Sequence, residues 1–305
     1  MEQRAGKINV AATAACLTMV VFWTTGPVFI KLLSGHIDMW MQNLLRYSTA
    51  ALFWLPFLIF SCKRKTLDNK IWSKALWPAA ANIILQCFWA VSFYYLDPAF
   101  SVLLSKASVI WIGGFSLMFF AEERVLLVSK RFWSGLVLCG IGVVGVMVSH
   151  EGFGSKRTLT GIILMLTASL FWSAYTILSK IFFKGIDSRA CFSVISIYTV
   201  AGLGILAAIF GDFGQCAEMS LRPWIYIVVS GITSIAFTHV LYYAAIKRIG
   251  ATIPSLVLLL SPFTVLMASS IIFGELLNIA QWIFGAVLLA GAALAIWAQG
   301  HLKKS

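Results

Sequence analysis

Apolar runs of about twenty residues alternate with short polar breaks along the whole chain. A helix that crosses a bilayer needs roughly twenty such residues. Ten runs reach that length, at about 10–33, 39–61, 74–96, 98–121, 132–149, 160–183, 190–211, 223–246, 252–274 and 279–299. The breaks are polar or carry Gly and Pro, as in Ser34-Gly35-His36 and Glu151-Gly152-Phe153-Gly154. The tightest is Leu96-Asp97-Pro98, where Pro98 is placed to begin a helix. No break is long enough to hold a separate domain. The first run follows Arg4 and Lys7, as in a signal peptide. It continues for about twenty-four residues, too long for the apolar part of such a peptide, so we read an uncleaved first span.

Composition agrees with a chain that crosses the membrane many times. The 305 residues are 60% hydrophobic and 11% charged, whereas a soluble domain is about a quarter charged. The formal charge of +12 invites a nucleic-acid partner. The placement of the charges argues against one, because they sit between apolar runs and not along one face. With the N-terminus in the cytoplasm, 17 Lys and Arg residues fall inside. Four fall outside (Lys31, Lys156, Arg157 and Arg222), and Arg46 and Lys106 lie within spans. Basic residues favour the cytoplasmic side, so both termini are expected there, in an integral, multi-pass protein of the cytoplasmic membrane. Both ends inside requires an even number of spans, and ten fits. The six Cys residues are scattered without a CxxC pair, which indicates neither a disulfide framework nor a zinc site.

The two halves echo each other. Phe22-Trp23-Thr24, followed by Lys31, reappears 149 residues later as Phe171-Trp172-Ser173, followed by Lys180. Tyr47 and Tyr198 match at an offset of 151, Ala99 with Ala251 and Glu123 with Glu275 at 152, and Gly135 with Gly285 at 150. This is an internal repeat of five spans, 10–149 and then 160–299. Five is odd, so the second copy is expected to be inverted in the membrane. The expected fold is an all-α membrane protein of ten transmembrane helices in two inverted five-helix repeats. Inverted repeats mark transporters, with substrate held at the repeat interface near the midplane.

On these residues the chain resembles the EamA family of the drug/metabolite transporter superfamily. The Phe-Trp-Ser/Thr element of spans 1 and 6 carries part of the likeness. The run Ala244-Ala245-Ile246-Lys247-Arg248-Ile249-Gly250-Ala251-Thr252, the stretch Leu259-Leu260-Ser261-Pro262-Phe263, Glu275 and Gly285 carry the rest. The first half has Val109-Ile110 where the second has Ser261-Pro262. The resemblance implies a ten-helix carrier with a central cavity lined mainly by spans 1, 3, 4, 6, 8 and 9. Family members move very different metabolites, so it implies a class and not a substrate.

Charges inside spans are the first candidates for chemistry. Lys106 lies eight residues into span 4, roughly 12 Å from its edge at about 1.5 Å per residue. A cation at that depth is costly and usually faces a cavity; the competing arrangement is a lysine that snorkels outward. Arg46 lies at similar depth in span 2 and is expected to play a structural role, bonding helix-end carbonyls or holding spans together. Glu123 and Glu275 stand at helix ends and are expected to fix loops. No carboxylate lies deep in any span. A cavity with Lys106 and no buried acid suits an anionic or zwitterionic solute better than a cationic drug. His239, mid-span in segment 8, either titrates and couples transport to protons or packs as a neutral ring. Trp23, Thr24, Gln86, Trp89, Ser105, Trp111, Trp172, Tyr175 and Tyr242 fill out the expected lining, with Asn82 beside them. Each taken alone is more often packing or an interfacial anchor.

There is no HExxH, GxSxG, P-loop or buried Asp pair, so neither an enzyme nor an ATP-driven pump is expected, and no cofactor or metal. The expected function is a secondary-active or facilitative carrier of small anionic or zwitterionic metabolites, such as amino acids. Its partners would be the solute, the lipid bilayer and a coupling proton or ion. The alternatives are a lipid-linked or nucleotide-sugar carrier on the same fold, and a membrane sensor or scaffold.

Overall fold

The computed structural model describes residues 10–183, 185–249 and 256–302, without the side chains of 10–16, 122, 123, 243, 246–249 and 299–302. Among the described residues every regular element is helical. The chain runs α1 (Val10–Leu33), α2 (Met39–Lys63), α3 (Lys70–Ser92), α4 (Pro98–Ser105) and α5 (Ser108–Phe119). A 3₁₀ turn (Ala121–Val128) leads to α6 (Lys130–Val148), α7 (Lys156–Phe182), α8 (Ser188–Phe210) and the short α9 (Gly214–Glu218). Then come α10 (Leu221–Ser230), a π-helical segment (Gly231–Phe237), α11 (Thr238–Ile249), α12 (Ser261–Phe273) and α13 (Ile279–Leu302). Eight of these helical stretches are long and apolar enough to cross a membrane. Two further apolar helices, Leu17–Leu33 and Leu258–Phe273, are shorter.

Helix ends follow local chemistry. The side chains of Asp38, Ser129, Ser155 and Asp187 accept backbone N–H groups at the starts of α2, α6, α7 and α8. Gly274 ends α12 in the left-handed conformation, φ +70°, which glycine adopts at no steric cost.

The span expected to run unbroken over 98–121 is two helices. The break falls at Lys106 and Ala107, where backbone bonds switch to i→i−3: Lys106 N–H to the Leu103 carbonyl, Ala107 to Leu104, Val109 to Lys106. Neither Pro nor Gly causes it. Contacts with other helices act on both flanks: Ser173 Oγ of α7 donates to the Ser108 carbonyl at 3.0 Å, and Lys106 reaches across to Ser261 of α12. The corresponding region of the second half, Leu258–Leu260, is a 3₁₀ turn just before Ser261-Pro262.

Helices of one half pack mainly on helices of the other. α2 lies on α8, α6 on α13, α3 on α7 and α1 on α11. This pairing is unchanged when the halves are exchanged. The α6–α13 contact is close because both helices are small there. A Cβ at Gly142 would come 2.5 Å from the backbone N of Leu288, and one at Gly291 would come 2.6 Å from that of Cys139. Small residues that let backbones approach are how helices associate where lipid removes the hydrophobic driving force.

Candidate functional site

A cavity of about 530 Å³ lies between the halves. Its walls are carried mainly by α1, α2, α3, α4, α5, α7, the π-helical segment, α11 and α12. The charged side chains on the wall are Arg46, Lys106 and Lys180; no Asp or Glu lines it among the described residues.

Lys106 sits at the helix break, where its side chain leaves the turn toward α12. Its Nζ donates to Ser261 Oγ at 2.8 Å. No carboxylate pairs with it among the described residues, so the ammonium holds one hydroxyl and faces the cavity. Ser105, next to it, also lines the cavity and donates its hydroxyl to the Val102 carbonyl at 2.7 Å.

Arg46 is buried, 3% exposed. Its Nε donates to Ser230 Oγ at 2.9 Å and its Nη2 to Ser234 Oγ at 3.0 Å. Those serines are four residues apart and so share one helical face. Arg46 thereby ties α2 to α10 and the π-helical segment while its head forms part of the cavity wall.

An aromatic group fills the middle of the wall. Trp23 and Trp172, the matched tryptophans of the repeat, meet edge to face at 5.3 Å between ring centroids. Tyr242 stands 6.1 Å from Trp23 and Tyr175 stands 5.9 Å from Trp172. His239 lies 5.9 Å from Trp23 and 5.1 Å from Phe192. Gln86 and Trp89 line the cavity from α3; Gln86 donates to Asn82 Oδ1 at 3.3 Å, and Asn82 bonds on to Thr199 of α8.

Two expected lining residues lie elsewhere. Thr24 accepts or donates at 2.6 Å to Thr264 Oγ1 and donates to the Val20 carbonyl, so it joins α1 to α12. Trp111 is 41% exposed. The face of α5 on the cavity is Val109, Ile112 and Ser116, and Trp111 points off that stripe. Glu275, expected to fix a loop, accepts the backbone N–H groups of Ala99 at 2.9 Å and Phe100 at 3.0 Å. The loop after α12 thus caps the start of α4, in the other half. Ser269 also donates to this carboxylate. The Glu123 side chain lies outside the described residues.

No residue of the cluster to which this cap belongs lines the cavity, so the cavity stops short of that end, the shut end. Lys31 Nζ stands 3.2 Å from Asp97 Oδ1 and donates to the Leu96 carbonyl at 3.2 Å. Gln42 donates to Tyr94 Oη at 2.9 Å, and Tyr94 donates to the Ile37 carbonyl at 2.8 Å. His150 packs on Phe100 with the rings tilted, 4.2 Å between centroids, and its Nδ1 accepts the Gly152 N–H at 3.1 Å. Burial pushes the His150 pKa below its ordinary value, against an upward pull from Asp97 and Glu151. At the other end the cavity walls run to Phe183, Gly185, Ile186 and Ser188. The matched lysines divide accordingly: Lys31 fastens the shut end, and Lys180 lines the opposite end with its Nζ 3.6 Å from the Phe120 ring centroid.

Sequence reasoning passed over Ser261 as the partner of Lys106, and Ser230 and Ser234 as partners of Arg46. The i,i+4 serines opposite a buried arginine were the available signal for the latter pair.

The sequence profile of the EamA-like transporter family matches residues 11–148 and 159–297. An uncharacterized transporter of Bacillus subtilis is 25% identical over 68% of this chain, and the match spans 60% of that protein's length. An uncharacterized transporter of Clostridium kluyveri is 26% identical over 86% of each chain. One solved crystal structure shares the fold at TM-score 0.66 and 15% identity, over 94% of this chain and 98% of that one. The chain belongs to the EamA-like transporter family.

Proposed function

We propose that this family member is a carrier that moves a small anionic or zwitterionic metabolite, such as an amino acid, across the cytoplasmic membrane by alternating access. The carrier has ten spans in two inverted repeats, 10–149 and 160–299, with the basic loops in the cytoplasm. The observation that carries the reading is the cavity wall, which presents Lys106 and Arg46 and no carboxylate among the described residues. A cation kept in a low-dielectric wall without a counter-ion is costly, and an anionic group on the solute would offset that cost during transport. A cavity of about 530 Å³ suits a small solute. Further support comes from the cluster at one end, built of an ion pair and helix caps that a rigid-body rocking of helices would release. The shut end would be the outer one, since the helix ends that hold Lys31 and Asp97 fall outside under the distribution of basic residues.

Purified protein screened by thermal shift against amino acids, carboxylates, sugars and phosphates tests this, because a bound ligand raises stability by mass action. Carboxylate-bearing probes are expected to raise the melting temperature. A shift confined to neutral sugars or to cationic amines would refute the reading. Orientation has its own test: a reporter active only in the cytoplasm should work after Ser305 and fail near Phe153, and the reverse pattern would invert the topology.

A further inference from the structure

His239 carries an unused hydrogen-bonding atom on the cavity wall. It stands on α11 directly after the π-helical segment and is 5% exposed. Its Nδ1 lies 3.0 Å from the Ile235 carbonyl oxygen. A carbonyl only accepts, so Nδ1 bears the proton. Trp23, Trp172, Tyr175 and Phe192 surround the ring, and among the described residues the cavity wall holds cations but no carboxylate to pair with an imidazolium. The neutral tautomer with Nδ1–H leaves Nε2 as a lone-pair acceptor. That Nε2 is buried and has no hydrogen-bond partner among the described residues. Buried polar atoms in native proteins are nearly always paired, and an exception calls for an explanation.

We infer that His239 Nε2 forms a second pole of the cavity, accepting a hydrogen bond from an N–H or O–H group that the solute carries beside its anionic group. This rests on the proposed function, which places the anionic group at Lys106. It narrows the substrate to acids bearing a donor, amino acids or hydroxy acids, and away from plain carboxylates. The aromatic faces around the ring suit an ammonium especially, since ring faces attract cations.

Binding to the purified full-length chain is measured for two matched series: leucine, 2-hydroxy-4-methylpentanoate and 4-methylpentanoate, and phenylalanine, 3-phenyllactate and 3-phenylpropanoate. In at least one series the donor-bearing acids are expected to bind about tenfold tighter than the plain acid, which corresponds to about 1.4 kcal/mol. Comparing the amino with the hydroxy acid tells whether the donor is ammonium or hydroxyl. His239→Phe, which keeps a ring and removes the acceptor, should abolish the preference by bringing the donor-bearing acids down to the plain acid's affinity in the same variant. His239→Gln, which keeps an acceptor oxygen, should retain part of it. It also serves as the test if the Phe variant fails to fold. Equal affinity for plain and donor-bearing acids, or an unchanged preference in both variants, overturns the inference while the carrier reading stands. If none of the six acids binds, the carboxylate reading falls and this inference with it.

Discussion

Lys106 Nζ and Ser261 Oγ meet at 2.8 Å and join two interrupted helices, one from each half. One interruption follows α4 and the other precedes α12. Interrupted helices near the midplane are where transporters hold their solutes, because irregular backbone is tolerated at membrane depth only inside protein or against a cavity.

Removing the hydroxyl separates the structural use of this lysine from its proposed use. Ser261→Ala should cost about 1–3 kcal/mol of stability, the range for leaving a buried polar group unpaired. Affinity for a carboxylate probe should stay within a few-fold of the parent, since the ammonium remains free to meet the ligand. Melting and binding measured on the same protein check both statements. A loss of binding as deep as that of a Lys106 variant would show that the pair acts as one unit.

The apolar runs made most helices legible. The run at 39–61 became Met39–Lys63 and that at 160–183 became Lys156–Phe182. The break at Lys106 and Ala107 was not legible, because nothing in an unbroken apolar run with no Pro there announces it. It depends on contacts from α7 and α12 that are more than sixty residues away in sequence. Trp111 was misplaced for a different reason: it falls off the stripe of Ser105, Ser108, Val109, Ile112 and Ser116 that lines the cavity at helical spacing. Thr24 was legible as polar and helical but not as a partner of Thr264, 240 residues away. The pairing of Trp23 with Trp172 was foreshadowed by the shared offset, although the direct ring contact was not.

The cap on α4 yields a second prediction. Glu275 accepts two backbone N–H groups through a carboxylate, and bonds to charged groups contribute about 1.5–3 kcal/mol each. Glu275→Gln keeps one acceptor and loses the charge. Hydrogen exchange in a peptide covering residues 97–104 should accelerate at least tenfold in the variant, because Ala99 and Phe100 lose protection. Unchanged exchange would mean that the cap does not hold the shut end.

His150 should make that end sensitive to acid. Its Nδ1 accepts the Gly152 N–H, which requires an unprotonated Nδ1. Its folded-state pKa lies below the ordinary value of about 6.5. The sign follows: the contribution is fully present above that ordinary value and is lost as pH falls through the lower folded-state value. The melting temperature should therefore drop as the pH falls below about 6.5, and His150→Asn, which keeps an acceptor but does not titrate, should flatten the drop. An equally steep drop in the variant would assign it to other groups.

The most direct test of the central claim is transport by Lys106→Gln. The protein is reconstituted in liposomes and counterflow is measured with the tightest-binding carboxylate or zwitterion of the screen. Removing the charge at roughly constant size should reduce transport by about tenfold or more, as loss of one charge-assisted bond predicts, with little change in melting temperature. Lys106→Arg should be partly active, because a planar fork does not replace a compact ammonium. Normal transport by the Gln variant would contradict the account and leave Lys106 as a strut between the two helix breaks.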